Sequence, residues 1–202
     1  MWLNRLFYLI IILMTGIIMS AQNTLWLTNG KKIEIGEFKI QNKDFISYKT
    51  QKNKFKSIES YDVFSIVESN GNEIIIYKQD SSSQEAFNLI EMRAFLQGET
   101  DAMKDFKSPL ITTGGFVVAG ASALFIPPTL VILTSGAYCA GVGLIKPNEK
   151  KFKIPLEYKN NEHYLLGYKK EVKNKRIKNA IIGTGIGLIA GFTTLAIISK
   201  NN

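Results

Sequence analysis

The sequence predicts an α+β protein: a small antiparallel β domain of the SH3-like or split-barrel kind, then an amphipathic helix, then glycine-rich transmembrane helices. Three observations carry this. Residues 24–80 alternate apolar and polar side chains with period two, between clusters of turn-forming residues. Residues 82–106 switch to a helical period. Residues 110–145 and 179–199 contain no Lys, Arg, Asp, Glu or His, and both exceed the roughly 18–20 apolar residues that cross a bilayer.

The chain opens on a targeting segment, residues 1–21. Arg5 precedes the apolar run Leu6–Ile18, and Ala21-Gln22 offers a cleavage point. This reads as a signal peptide or an uncleaved anchor, and either sends residues 22–108 to the exported side of a cell-envelope membrane. No Cys follows Ala21 to carry a lipid. In the β domain, residues 22–81, Leu25 and Leu27 alternate with Trp26 and Thr28, and Asn29-Gly30 signals a hairpin. Ile33 and Ile35 alternate with Lys32 and Glu34. Gly36 interrupts, and Phe38 and Ile40 resume on the shifted phase, which predicts a bulge. Phe45–Thr50, Lys56–Ile58, Tyr61–Glu68 and Glu73–Lys78 complete about five short strands, with a turn at Ser69-Asn70-Gly71-Asn72. Trp26, Phe38, Phe45, Phe55 and Tyr61 are the aromatic candidates for its core or for a contact surface.

The amphipathic helix spans residues 82–108. Ser82 with Glu85 fits a capping box. Phe87, Ile90 and Ala94 begin its apolar stripe, and Gly98 reads as a stop before a short acidic helix holding Glu99, Asp101 and Asp105. Residues 109–145 form a membrane segment broken at Pro127-Pro128. One kinked crossing is favoured over a hairpin of two 17-residue halves. A single crossing puts the basic loop, residues 146–178, across the membrane from residues 22–108, as the positive-inside rule prefers.

That loop holds eleven basic and four acidic side chains, whereas residues 22–108 hold twelve and thirteen. The net charge of +8 therefore belongs to one segment, and this argues against a whole-surface nucleic-acid binder. Tyr164, Tyr168, Lys169, Lys170, Lys173, Lys175, Arg176 and Lys178 abut the last span and are expected to rest on anionic lipid. In residues 179–199, Gly183, Gly187 and Gly191 repeat every fourth position, which marks a close helix–helix packing face within the chain or between chains.

Enzyme constellations are sparse. His163 is the only histidine, Cys139 the only cysteine, and no phosphate-loop pattern occurs. No catalytic, cofactor or metal residue is assigned, and no cofactor is expected. The expected partners are membrane lipid and a protein partner or second copy, not nucleic acid. The run Asp62-Val63-Phe64-Ser65-Ile66, the close Gly98-Glu99-x-Asp101-Ala102, the Pro-broken apolar segment and Gly167-Tyr168 with its trailing Lys/Arg resemble a family of uncharacterised bacterial envelope proteins. The resemblance covers nearly the whole chain after residue 21. It implies this layout and no activity. The expected function is structural or partner-binding. A lipid- or ion-handling protein is one alternative, and an envelope enzyme using two of Asp44, Glu59, Asp62 and Glu68 is another.

Overall fold

The computed structural model describes residues 22–41, 44–79 and 86–200, with the Lys151 side chain left aside. The expected targeting segment lies outside these residues, as do Ser82 and Glu85. The chain is α+β: a six-stranded antiparallel sheet precedes four helices. It divides into two compact units, residues 1–78 and 79–202.

In the first unit, strands β1 (Asn23–Leu27), β2 (Lys32–Ile40), β3 (Phe45–Thr50), β4 (Phe55–Glu59), β5 (Val63–Val67) and β6 (Glu73–Ile75) lie in the order β4-β3-β2-β1-β5-β6. Each strand pairs antiparallel with its neighbour. Three hairpins share one turn chemistry. Leu27 N–H donates to Lys31 and Gly30 N–H to Leu27; Thr50 and Asn53 repeat this with Lys54, and Glu68 and Gly71 with Asn72. The third loop residue must then take a positive φ, which Gly30, Asn53 and Gly71 supply. The β2–β3 register shifts between Ile35 and Phe38, across Gly36, because an extra residue there re-phases the strand.

Leu25, Leu27, Ile35, Ile46, Tyr48, Val63 and Ile66 form the buried core, and Ile33, Phe38, Ile58 and Ile76 pack against it. The aromatic candidates divide. Trp26 is buried, but Phe45, Phe55 and Tyr61 are 45, 76 and 73 % exposed. Tyr61 falls in a one-turn 3-10 helix, Ser60–Asp62, not in a strand, so β5 starts only at Val63.

The second unit contains α1 (Leu89–Asp105), α2 (Pro109–Phe125), α3 (Pro128–Leu144) and α4 (Glu162–Lys200). Asn88 caps α1: its side chain accepts from Ile90 and Glu91, and the Glu91 carboxylate takes the Asn88 N–H. Gly98 does not stop the helix. It lies mid-helix, where a Cβ would strike the backbone of Tyr164 and Tyr168, so its missing side chain serves close packing rather than a left-handed turn.

Two further expectations are corrected. Of the two readings of residues 109–145, the favoured single kinked helix gives way to a helical hairpin. Pro127-Pro128 ends α2 and starts α3, each 17 residues long, and Tyr138 on α3 donates back to the Ile111 carbonyl on α2 at 2.7 Å. The basic segment is a loop only to Asn161. From Glu162 it is helix, continuous with the final apolar stretch for 39 residues, about 58 Å at 1.5 Å per residue. Its buried positions, Tyr164, Gly167, Tyr168, Val172, Arg176, Ala180, Gly183, Thr184, Gly187 and Gly191, step by one helical turn throughout. Tertiary packing along this stripe sustains a helix through a lysine-rich stretch.

Candidate functional site: the helix junction at residues 175–179

Helices α1 and α2 follow α4 one after the other in the same chain direction, with a 65° bend at the break between them. Phe95 meets Gly167, Glu99 pairs with Lys170, Asn179 bonds Ser108, and Gly183 and Gly187 meet Thr112 and Phe116. Partners stay 71 or 72 positions apart. Helix α3 runs the opposite way along α4: Cys139 lies 3.6 Å from the Thr184 hydroxyl and Arg176 reaches Ile145.

Close approach depends on glycine from both sides. A Cβ at Gly167 would strike the Phe95 carbonyl, one at Gly183 the Thr112 carbonyl, and one at Gly187 the Phe116 carbonyl. At Gly191 it would meet the Ala123 Cβ at 2.6 Å and the Gly120 oxygen at 2.7 Å. Sequence spacing singles out Gly183, Gly187 and Gly191. The small-residue pair Gly115 and Ala119 marks the facing surface of α2, whereas spacing passes over Gly98 and Gly167, which make the same kind of contact on α1 and the basic half of α4. The signal for Gly167 is glycine recurring on the buried stripe of α4, legible once that stripe is continued upstream of residue 179.

At the middle of α4, three helix ends converge. Lys175 donates to the carbonyls of Ala102 (3.2 Å), Met103 and Phe106 (2.9 Å), the last turn of α1. Arg176, 9 % exposed, donates to the Ile145 carbonyl at 2.6 Å, closing the end of α3. Asn179 donates to the Ser108 hydroxyl at 2.8 Å, just before α2. Final-turn carbonyls have no partner within their own helix, and a cation there also meets the negative end of the helix dipole. Burial pushes the Lys175 amine down from its ordinary value; Glu171 and Asp105 pull it up, and Lys107 and Lys178 push it further down.

The residues expected at a lipid surface therefore separate. Tyr164 and Tyr168 are fully buried. Tyr164 stacks on Tyr158 with centroids 4.5 Å apart and donates to Asp101 at 2.9 Å, while Tyr168 packs on Phe152 and accepts from the Lys153 N–H. An apolar contact plus an internal hydroxyl partner satisfies these rings better than a headgroup layer would. Lys175 and Arg176 cap helices, Lys170 pairs with Glu99 at 2.8 Å, and Lys169 pairs with Glu149 at 2.8 Å. Lys173 and Lys178 stay exposed.

Glu99 is itself unusual. Its side chain is 2 % exposed, and Oε2 has no hydrogen-bond partner. Burial, aided by Glu171 and opposed by Lys170, raises its carboxyl above the ordinary range. Nearby, His163 lies 3.6 Å from Glu91 and edge-on to Phe87. Among the described residues no group of three His, Cys, Asp or Glu could hold a metal ion. In the β unit, a cavity of about 360 Å³ is lined by Ile40, Ile46, Ser60, Tyr61, Ile75, Ile76, Tyr77 and Lys78. None of Asp44, Glu59, Asp62 or Glu68 lines it.

Among the described residues one helix, α4, is by itself long and apolar enough to cross a membrane. No protein-family model, curated protein or solved structure matches this chain.

Proposed function

We propose that this is a non-enzymatic integral membrane protein of the cell envelope, in which α2, α3 and the second half of α4 form one three-helix anchor. Helix α1, the first half of α4 and the β unit are the parts offered to a partner. The observation that carries this is the outward surface of the three helices. Leu110, Phe125, Leu133, Leu144, Ile181 and Ile189 are exposed on it, and 22 % of the most apolar stretch of α4 is buried within the chain. A soluble protein would bury such a surface. The hydroxyls of Thr113, Thr134, Thr184, Thr193 and Thr194 bond carbonyls of their own helices, as a lipid solvent demands.

Because α2 and α4 are parallel and α3 is antiparallel to both, the helices cross together, three times. Residues 89–107 and 146–178 then share one side, since Lys175, Lys170 and Tyr164 tie them together. This replaces the expectation that the basic segment faces away from residues 89–108. The β unit keeps the SH3-like or split-barrel reading, with Phe45, Phe55 and Tyr61 as its contact surface. No Asp, Glu, Lys, Arg or His lies in residues 110–145 or 179–199 to mark an ion pathway.

Alkaline washing of membranes tests integration: the full-length protein should stay in the pellet, and release into the supernatant overturns the reading. Thiol labelling of intact cells tests topology. Cysteines placed at Asp105 and Asn160, in a Cys139→Ala background, should label from the same side, and one at Lys200 from the other. Opposite labelling of Asp105 and Asn160 restores a single crossing.

A further inference from the structure

The helix junction sets more than packing. It places the ends of α1 and α3, the start of α2 and the middle of α4 at one level, just outside the uncharged block. Phe106 meets Lys175, Ile145 meets Arg176, and Ser108 meets Asn179. The lysines next along the chain from these contacts are Lys107, Lys146 and Lys178, all exposed. Lys104 and Lys173 are also exposed within a turn of the same level, and Asp105 is the one exposed acid there. The far end of the three helices, by contrast, ends at Phe125, Pro128 and Lys200, with Lys200 as its single described charge.

We infer that Lys107, Lys146 and Lys178, flanked by Lys104 and Lys173, form a collar that binds the phosphate headgroups of anionic phospholipid. The inference rests on the membrane reading above and names the partner of its basic face. The argument is one of allocation. The junction consumes Lys175 and Arg176 on carbonyl oxygens, and carboxylates take Lys169 and Lys170. The collar lysines come from three separate stretches of chain, make no hydrogen bond or ion pair among the described residues, and stand where a headgroup layer would lie. Each lysine near an anionic surface strengthens attachment about fivefold. Of the cations expected to meet lipid, Lys173 and Lys178 keep that role, and Lys104, Lys107 and Lys146 join them.

The test uses purified full-length protein in neutral detergent, followed by thermal unfolding with added lipid. Phosphatidylglycerol should raise the melting temperature by several degrees over phosphatidylcholine, and raised salt should erase the difference. The Lys107→Gln/Lys146→Gln/Lys178→Gln variant should lose the preference, and Lys52→Gln/Lys54→Gln should keep it. Equal shifts from both lipids, or an unchanged preference in the triple variant, would overturn the collar. If the triple variant does not fold, the single variants carry the test: each should lose part of the shift, and three unchanged preferences overturn it. Inorganic polyphosphate giving the same stabilisation would show a general polyanion site and overturn a lipid partner. Release by alkaline washing is a separate result and sinks the membrane reading itself.

Discussion

Gly187 and Gly185 sit two residues apart on α4 and meet opposite surroundings. A Cβ at Gly187 would strike the Phe116 carbonyl of α2, whereas one at Gly185 would meet nothing within 4 Å. Helix rotation is the whole difference: two residues turn the side-chain direction by more than half a circle.

Gly187→Ala should therefore destabilise the helix assembly by about 1–3 kcal/mol, because backbone must move to admit the methyl. Gly185→Ala should be neutral or stabilising by up to about 1 kcal/mol, since alanine is the better helix former. Thermal unfolding in detergent separates them. Equal melting temperatures would refute the packing assigned to Gly187.

Lys175 is the second test. Lys175→Met leaves three final-turn carbonyls of α1 without their charged donor and should cost about 1–2 kcal/mol. Lys173→Met, on the exposed side of the same helix, should change stability by less than about 0.5 kcal/mol. Amide exchange at Ala102–Phe106 should quicken in the first variant only.

Glu99 gives a pH dependence with a definite sign. Its folded-state pKa lies above its unfolded value, so the native state binds the proton more tightly. Its burial penalty is present in full above the folded pKa and is relieved as pH falls through that value towards the unfolded one. Wild-type protein should gain stability from this group on acidification from neutral. Glu99→Gln should remove that component. The difference in melting temperature between variant and wild type, followed from pH 7 (about neutrality) downward, should shrink; a gap that widens contradicts the assignment.

The β unit separates core from contact surface. Ile46 is fully buried, and Ile46→Ala should cost about 2–5 kcal/mol. Phe55→Ser and Tyr61→Ser alter exposed rings and should stay within about 0.5 kcal/mol of wild type. Destabilisation by either serine variant comparable to that of Ile46→Ala would place those rings in a core.

Much of the layout was legible in the order of residues. Period-two alternation located segments that overlap all six strands, one more than the expected total of about five, and the shift at Gly36 marked its bulge, because one added residue flips every later side chain. Tyr61 was misplaced because its alternation continues into β5 while its backbone turns in a 3-10 helix. The start of α1 was placed too early, at Ser82 with Glu85, whereas the helix begins at Leu89 behind the capping box of Asn88 and Glu91. Both residue pairs fit the same sequence pattern, and pattern alone does not rank them.

By itself the sequence determined which segments avoid charge, where the prolines break a helix and where positive charge accumulates. These are local properties, set by each residue's solvation and backbone freedom. Only the tertiary structure decided how the charge is used. Tyr164, Tyr168, Lys175 and Arg176 read as surface residues because composition around them is basic. Packing of α1 and α3 against α4 turns them inward, where stacking and carbonyl oxygens offset the loss of water. The fold of residues 109–145 into a hairpin was decided the same way. A proline pair permits either a kink or a reversal, and the contact between Tyr138 and Ile111, 27 positions apart, selects the reversal.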